Sequence, residues 1–109
     1  MGVVIVRYKS KPDRADENQA LVEQVFAELD ANGPAGLRYA SFRLADGVSF
    51  VHVASVETDD GTNPLNQTPA FVEFVREIAD RCEEGPVASD ATLVGSYRFA
   101  PTDPATPTT

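Results

Sequence analysis

The order in which strand-like and helix-like patterns follow one another is the strongest constraint on this chain. Short runs rich in β-branched residues predict strands, and apolar residues at every third or fourth position predict helices. The predicted strands cover residues 3–8, 37–45, 48–57 and 90–99, and the predicted helices cover residues 14–31 and 68–83. Each helix thus lies between two strands, and a hairpin joins the two halves, so residues 1–99 are predicted to form one domain.

The Asp46–Gly47 pair is predicted to set the register of the central hairpin. This dipeptide favours a two-residue type I′ turn, which requires positive φ at both central residues. With that turn Arg43 pairs with Phe50, and Ser41 pairs with His52. Residues paired across strands share a face of the sheet. One face is therefore predicted to carry Tyr39, Ser41, Arg43, Phe50 and His52, and the opposite face Phe42, Val51 and Val53.

The βαββαβ order predicts an α+β, ferredoxin-like fold, a four-stranded antiparallel sheet with two helices on one face. An antiparallel sheet with one solvent-exposed face should alternate apolar and polar residues. Strand 48–57 instead has apolar residues on both faces. Because the helices can cover only one face, we expect a second copy of the chain to cover Phe42, Val51 and Val53 in a twofold homodimer.

Composition excludes several classes of partner. The chain has 17 acidic and 9 basic residues and a net charge of −8, so nucleic-acid phosphates and anionic membrane surfaces would repel it. No apolar run approaches the roughly 20 residues that span a bilayer. The single cysteine, Cys82, excludes an internal disulfide, and with no export signal we expect a cytoplasmic protein. Residues 100–109 are rich in Pro and Thr and are predicted to be a disordered tail.

Two segments carry a resemblance to a known family. Tyr-Lys-Ser-Lys-Pro-Asp follows the first strand at residues 8–13, and Asn-Gln-Thr-Pro-Ala-Phe opens the second helix at residues 66–71. With the element order over residues 3–99, they resemble the dimeric α/β-barrel superfamily and, within it, the antibiotic-biosynthesis-monooxygenase-like (ABM-like) group. The resemblance implies a homodimer, the dimeric α/β barrel, with a small pocket between sheet and helices in each subunit. Some members of the group oxidise aromatic polyketides with oxygen and no cofactor, whereas others have no known activity.

The chain departs from the pattern of this family at two histidines. Many members have His-Leu-x-Thr-Pro-His-Phe, whereas this chain keeps the Thr-Pro-x-Phe frame and has Leu65 and Ala70 at the histidine positions. Similar haem-degrading proteins use Asn, Trp and His at places that hold Val6, Val56 and an apolar part of the second helix here. Haem degradation is therefore not implied. We predict no cofactor and no metal site.

His52 is the only histidine of the chain and is the candidate catalytic residue. If the superfamily plan holds, it lies on the helix-covered face, with Tyr8 on the neighbouring strand. An imidazole with a near-neutral pKa could take a proton from a phenol or enol, and Arg43 could stabilise an enolate. The candidate ligand-contacting residues are Tyr8, Tyr39, Ser41, Arg43, Phe50 and Phe71.

The same residues allow a second interpretation, in which His52 is a buried packing residue hydrogen-bonded by Ser41 or a carbonyl. Two hypotheses follow. The protein is a cofactor-independent oxygenase or related small enzyme that acts on an aromatic, polyketide- or quinone-like molecule. Alternatively, it is a non-catalytic dimeric ligand-binding or assembly module that has lost the histidines of the family.

Overall fold

The computed structural model describes residues 2–99, so the tail predicted at residues 100–109 lies outside the described residues. The strands are β1 (Gly2–Ser10), β2 (Leu37–Arg43), β3 (Ser49–Val56) and β4 (Cys82–Ala91). The helices are α1 (Ala15–Asn32), α2 (Pro69–Val75) and α3 (Ile78–Arg81), with short 3-10 turns at Pro12–Arg14 and Pro64–Gln67.

The four strands form one antiparallel sheet in the order β2-β3-β1-β4. Side chains from α1 and α2 pack on one face of this sheet, where Val25 and Phe74 join Tyr8 and Phe50 in the core. The predicted α+β, ferredoxin-like fold is confirmed. None of the helices within residues 2–99 combines the length and the apolarity needed to cross a membrane.

Helix α1 has an apolar stripe that explains how it packs. Val22 and Val25 are buried against the sheet, one helical turn apart. The helix ends at Gly33, whose φ of 54° is a left-handed conformation that favours glycine. The Gly33 N–H donates to the carbonyl of Leu29 at 2.7 Å. A left-handed glycine followed by Pro34 is a common way for a helix to end.

The hairpin between β2 and β3 has the predicted register but a different turn. Arg43 pairs with Phe50, and Ser41 pairs with His52, as expected. The predicted type I′ turn is wrong, because Gly47 has positive φ and Asp46 does not. The Asp46 carboxylate instead accepts hydrogen bonds from the following backbone at residues 48–49, and these bonds stabilise a wider loop.

The second half of the chain differs from the prediction. The helix predicted over residues 68–83 ends at Val75, and Glu77 has a φ of 62° before α3 begins. The guanidinium of Arg81 explains the break, because it donates to the carbonyls of Phe74 and Arg76 at the end of α2. A continuous helix would occupy the Phe74 carbonyl with its own backbone bond.

Strand β4 covers Cys82–Ala91, so the strand predicted over residues 90–99 is wrong. Cys82 is buried, and it is the first residue of β4 rather than part of the predicted helix. Gly85 and Pro86 lie where the β1–β4 pairing shifts register. An edge strand tolerates proline at such a bulge because no ladder hydrogen bond is lost there.

The sheet face that the helices leave uncovered, here called the outer face, carries apolar side chains. Ile5, Phe42 and Val87 are 36%, 40% and 62% exposed, and the predicted residues Val51 and Val53 are half-buried among them. The segment at residues 92–99 has no regular structure. It approaches this face at one point, where the Phe99 and Phe42 rings lie 5.9 Å apart.

Candidate functional site

His52 lies near the middle of β3 on the helix-covered face. Its backbone pairs with Ser41 on β2 and with Val6 on β1, so the side chain has a strand on either side. The ring of Phe74 on α2 lies 5.3 Å away and closes the site from the helix side. Only 4% of His52 is exposed.

Three hydroxyl groups surround the imidazole of His52. The Tyr8 Oη lies 2.8 Å from Nε2. The Tyr39 Oη and the Ser41 Oγ each lie 2.7 Å from Nδ1. The structure thus brings together four of the residues that the sequence analysis selected, and both ring nitrogens have partners.

Burial determines the protonation of this cluster. Desolvation lowers the pKa of His52 from 6.5 to about 4, below the near-neutral value expected from the sequence. Burial raises the pKa of Tyr39 to about 12 and also raises the pKa of Tyr8 above its ordinary value. A buried environment disfavours the charged form of each group. All three side chains are therefore neutral near pH 7.

Two further residues extend the cluster, and the sequence analysis missed both. The Asn18 Nδ2 donates to the Tyr8 Oη at 2.7 Å, and the Arg81 Nε donates to the Asn18 Oδ1 at 3.2 Å. Both residues are buried. The sequence does contain a signal for Asn18. It lies one helical turn before Val22 on the apolar stripe of α1, and a polar side chain buried there needs a hydrogen-bond partner. We call Arg81, Asn18, Tyr8, His52, Tyr39 and Ser41 the buried polar network.

The aromatic ligand-contacting candidates pack around this network. Phe50 is buried and stacks on Tyr8, with ring centroids 5.5 Å apart. Phe71 is half-buried and meets the ring of Tyr39 edge-on at 6.4 Å. Offset and edge-on arrangements of this kind stabilise aromatic cores. Both phenylalanines therefore contribute to the wall around His52 without touching a ring nitrogen.

Arg43 lies at the exposed edge of the site and makes no hydrogen bond to His52. Its guanidinium donates to the Asp16 carboxylate at 3.1 Å and to the Gln19 side-chain oxygen at 2.7 Å. It also lies 5.6 Å from the centroid of the Phe50 ring. Arg43 is thus held above the aromatic wall with its positive charge near the surface.

Two surface grooves flank α1. The groove between α1 and β2 has a volume of about 240 Å³, and three ligand-contacting candidates, Ser41, Arg43 and Phe50, help to line it. We call it the Ser41 groove. The groove between α1 and α2 has a volume of about 290 Å³ and is lined in part by Leu21 and Ala70. His52 lines neither, so its link to the Ser41 groove is the hydrogen bond to the Ser41 Oγ.

Leu65 and Ala70 occupy the positions where many members of the resembled group have histidines. Leu65 is buried in the core, and Ala70 is half-buried at the groove between α1 and α2. The backbone N–H of Ala70 donates to the Glu28 carboxylate at 3.0 Å. Within residues 2–99, no three His, Cys, Asp or Glu side chains cluster as metal ligands would.

Comparison with known proteins gives structural matches. No protein-family model matches the sequence, and a search of curated proteins finds no match. Rv0793 from Mycobacterium tuberculosis aligns with a TM-score of 0.69 and 16% identity, covering 87% of this chain and 96% of that chain. An antibiotic biosynthesis monooxygenase aligns with a TM-score of 0.66 and 21% identity, covering 87% of this chain and 100% of that chain.

A third match is SnoaB, a cofactor-independent oxygenase from Streptomyces nogalater. It aligns with a TM-score of 0.63 and 14% identity over 87% of this chain and 94% of that chain. What these proteins share with this chain is the arrangement of strands and helices over almost the whole domain. The chain therefore has the α+β, ferredoxin-like fold of the antibiotic biosynthesis monooxygenase structures, the group that its sequence resembles.

Proposed function

We propose that this protein is a homodimeric, cofactor-independent oxygenase that acts on an aromatic, polyketide- or quinone-like molecule. The observation that carries the proposal is the connection of the sole histidine, through the Ser41 Oγ at 2.7 Å, to a groove lined by Arg43 and Phe50. The fold likeness to structures that include a cofactor-independent oxygenase supports the same function.

The Ser41 groove suits a flat molecule with an oxygen atom at one edge. Phe50 offers an apolar surface, while Ser41 and Arg43 can bind oxygen. In such a reaction the substrate itself supplies the electrons that reduce O₂. An activated CH₂ group becomes a carbonyl, one oxygen atom enters the product, and the other leaves as water with the two hydrogens.

We propose that His52 acts as a neutral imidazole, because its pKa is lowered to about 4. A neutral ring can stabilise an oxyanion of the substrate through Ser41. The other role predicted for His52, removal of a proton from a phenol or enol, requires its pKa to rise when negative charge forms beside it. Arg43 would supply positive charge at the mouth of the groove.

The homodimer is proposed on the outer face. A face with Ile5, Phe42 and Val87 exposed is the kind of apolar patch that marks a protein interface. A stable pair typically buries roughly 800 Å² per partner. A second copy of the same sheet, related by a twofold axis, would cover this face as the dimeric α/β barrel requires.

The decisive experiment is oxygen consumption with a panel of hydroxynaphthoquinones and anthrones. We expect turnover by the wild type and a fall of about 100-fold or more in His52→Ala, the typical contribution of a positioned proton-handling group. Asn32→Ala, at an exposed position at the end of α1 that is outside both the Ser41 groove and the outer face, is the control and should keep its turnover. Turnover that is unchanged in His52→Ala would remove His52 from the mechanism.

A second candidate function is a dimeric ligand-binding module without catalysis. It is favoured by Leu65 and Ala70 at the histidine positions and by the burial of His52 away from both grooves. The same panel of compounds distinguishes an oxygenase from a binding module. A module would bind one of these compounds in calorimetry, with no oxygen consumed by wild type or variant.

A further inference from the structure

We propose that Arg81, acting through Asn18 and Tyr8, holds the imidazole of His52 as the tautomer with its proton on Nδ1. Arg81 and Asn18 are thus positioning residues for His52, and the site presents hydrogen-bond donors to the Ser41 groove. The role of this tautomer in turnover rests on the proposed function, but the tautomer itself does not.

The first step is the orientation of the Asn18 amide. A guanidinium has only donors, so the amide atom that faces the Arg81 Nε at 3.2 Å is the oxygen. The amide nitrogen must then face Tyr8, where it lies 2.7 Å from the Oη. Since this nitrogen has only hydrogens to offer, the Tyr8 Oη accepts from Asn18.

The second step is the direction of the Tyr8 hydroxyl. Within residues 2–99, the Oη has two hydrogen-bond partners, Asn18 and the Nε2 of His52. Asn18 donates, so the only acceptor left for the phenol proton is Nε2. A neutral imidazole has one donor and one acceptor nitrogen, and the ring proton therefore lies on Nδ1.

Arg81 can impose this polarity because its charge is fixed. An arginine side chain keeps its proton in proteins. Its guanidinium donates to the carbonyls of Phe74 and Arg76 at the end of α2, which carries partial negative charge. Within residues 2–99 no carboxylate forms an ion pair with it. The network therefore begins at a cation that can only donate hydrogen bonds. Within the described residues no carboxylate pairs with Arg81 in place of Asn18.

The consequence appears at the groove. The Nδ1–H donates to the Tyr39 Oη or the Ser41 Oγ, both 2.7 Å away. Neither hydroxyl then has to give its own proton to the ring, so the Ser41 proton is available either to the Tyr39 hydroxyl, with which Ser41 also hydrogen-bonds, or to a ligand in the groove. The ligand atom beside Ser41 should accordingly be an acceptor, such as a carbonyl, phenolate or enolate oxygen, rather than an N–H or an ammonium group.

The experiment is ¹⁵N NMR of the imidazole nitrogens at pH 7, where the chain's single histidine gives one pair of ring signals. In the wild type we expect Nδ1 at the position of a protonated ring nitrogen and Nε2 at that of a bare one. Asn18→Asp should reverse the two. Its carboxylate accepts from both Arg81 and the Tyr8 hydroxyl, so the Tyr8 Oη must accept from an Nε2–H.

Gln24→Glu is the matched control, because it makes the same charge change at an exposed position of α1. It should leave the two signals as in the wild type. Arg81→Lys in an otherwise wild-type chain is the conservative variant. It keeps the positive charge and a donor at the end of the network, so it should leave the Nδ1–H tautomer.

A proton on Nε2 in the wild type would overturn the inference, and this result does not depend on whether Asn18→Asp folds. Unchanged ring signals in a folded Asn18→Asp variant would overturn it as well. Reversed signals with no oxygen consumption by the wild type would support the tautomer and contradict the proposed function. Reversed signals together with a fall in turnover would support both.

Discussion

The helix-covered face and the outer face of the sheet differ in what they bury and what they expose. The helix-covered face buries His52, Asn18 and Arg81 in a region where apolar side chains are usual. The outer face exposes Phe42 and Val87, where polar side chains are usual. On the first face every buried side-chain nitrogen and oxygen within the described residues has a partner. Within residues 2–99, the outer face keeps Phe42 and Val87 exposed although Phe99 approaches Phe42.

The side chains on the two faces need different kinds of interaction to be stable. A buried polar group costs free energy unless it is hydrogen-bonded, and the network meets this requirement within one subunit. An apolar surface cannot be satisfied by hydrogen bonds in this way, and the proposed dimer would remove it from water. Internal stability should therefore depend most on the network, and assembly should depend most on the outer face.

The largest effect is expected from Asn18→Leu. This change removes the partner of the Arg81 Nε and of the Tyr8 Oη, so a buried charge and a buried hydroxyl are left with fewer hydrogen bonds. We expect a loss of about 3 to 4 kcal/mol in the free energy of unfolding, measured by urea denaturation. The exposed control Gln24→Leu should change it by about 0.5 kcal/mol at most. Equal losses in both variants would contradict a stabilising role for the network.

The next effect concerns the outer face and Val53→Lys. A lysine in an apolar interface leaves an unpaired charge, so the dimer Kd should rise about 100-fold, which is about 2.8 kcal/mol. Sedimentation velocity at micromolar concentration measures it. Gln67→Lys, an equal charge change in an exposed loop, is the control. A wild type that is monomeric at this concentration would contradict the proposed dimer, because the outer face would then be exposed to water in the single subunit.

The smallest effect is the pH dependence of stability. The pKa of His52 is about 4 in the folded chain and 6.5 without burial, so the unfolded state binds a proton first as pH falls. The stabilisation that neutral His52 gives to the folded state is complete above pH 6.5 and is lost as the pH falls toward 4. By pH 5 the free energy of unfolding should have fallen by about 2 kcal/mol. Urea denaturation at pH 7 and pH 5 should show this loss in the wild type. His52→Gln should lack it, and an equal loss in that variant would place the titration elsewhere.

The sequence was sufficient for the helix end and the hairpin register in the first half of the chain, although not for the type of hairpin turn, because local signals determine the first two. Gly33 and Pro34 end α1 because of their backbone geometry. The segment between β2 and β3 is short, and this fixes which residues of the two strands pair in the hairpin. That register places Ser41 and His52 side by side. The alternation of side chains along β1 places Tyr8 on the same face of the sheet. With Tyr39, two residues before Ser41 on the same face of β2, four members of the network follow from strand periodicity.

The second half could not be predicted because tertiary contacts decide it. The spacing of Phe71, Val75, Ile78 and Cys82 fits one helix. The break after Val75 depends on a guanidinium that folds back from Arg81, and a sequence does not show where a side chain points. Once the helix ends early, β4 begins early. The strand predicted over residues 90–99 is then wrong, because residues 82–91 already pair with β1.

The buried polar network also joins distant parts of the chain. The contact between Arg81 and Asn18 spans 63 residues, and the contact between Tyr8 and His52 spans 44. Contacts of this span form only after long loops have closed. A polypeptide that ends before α3 would lack Arg81 and the last strand. The hydrogen-bond chain that ends at one imidazole is therefore complete only when both halves of the domain are in place.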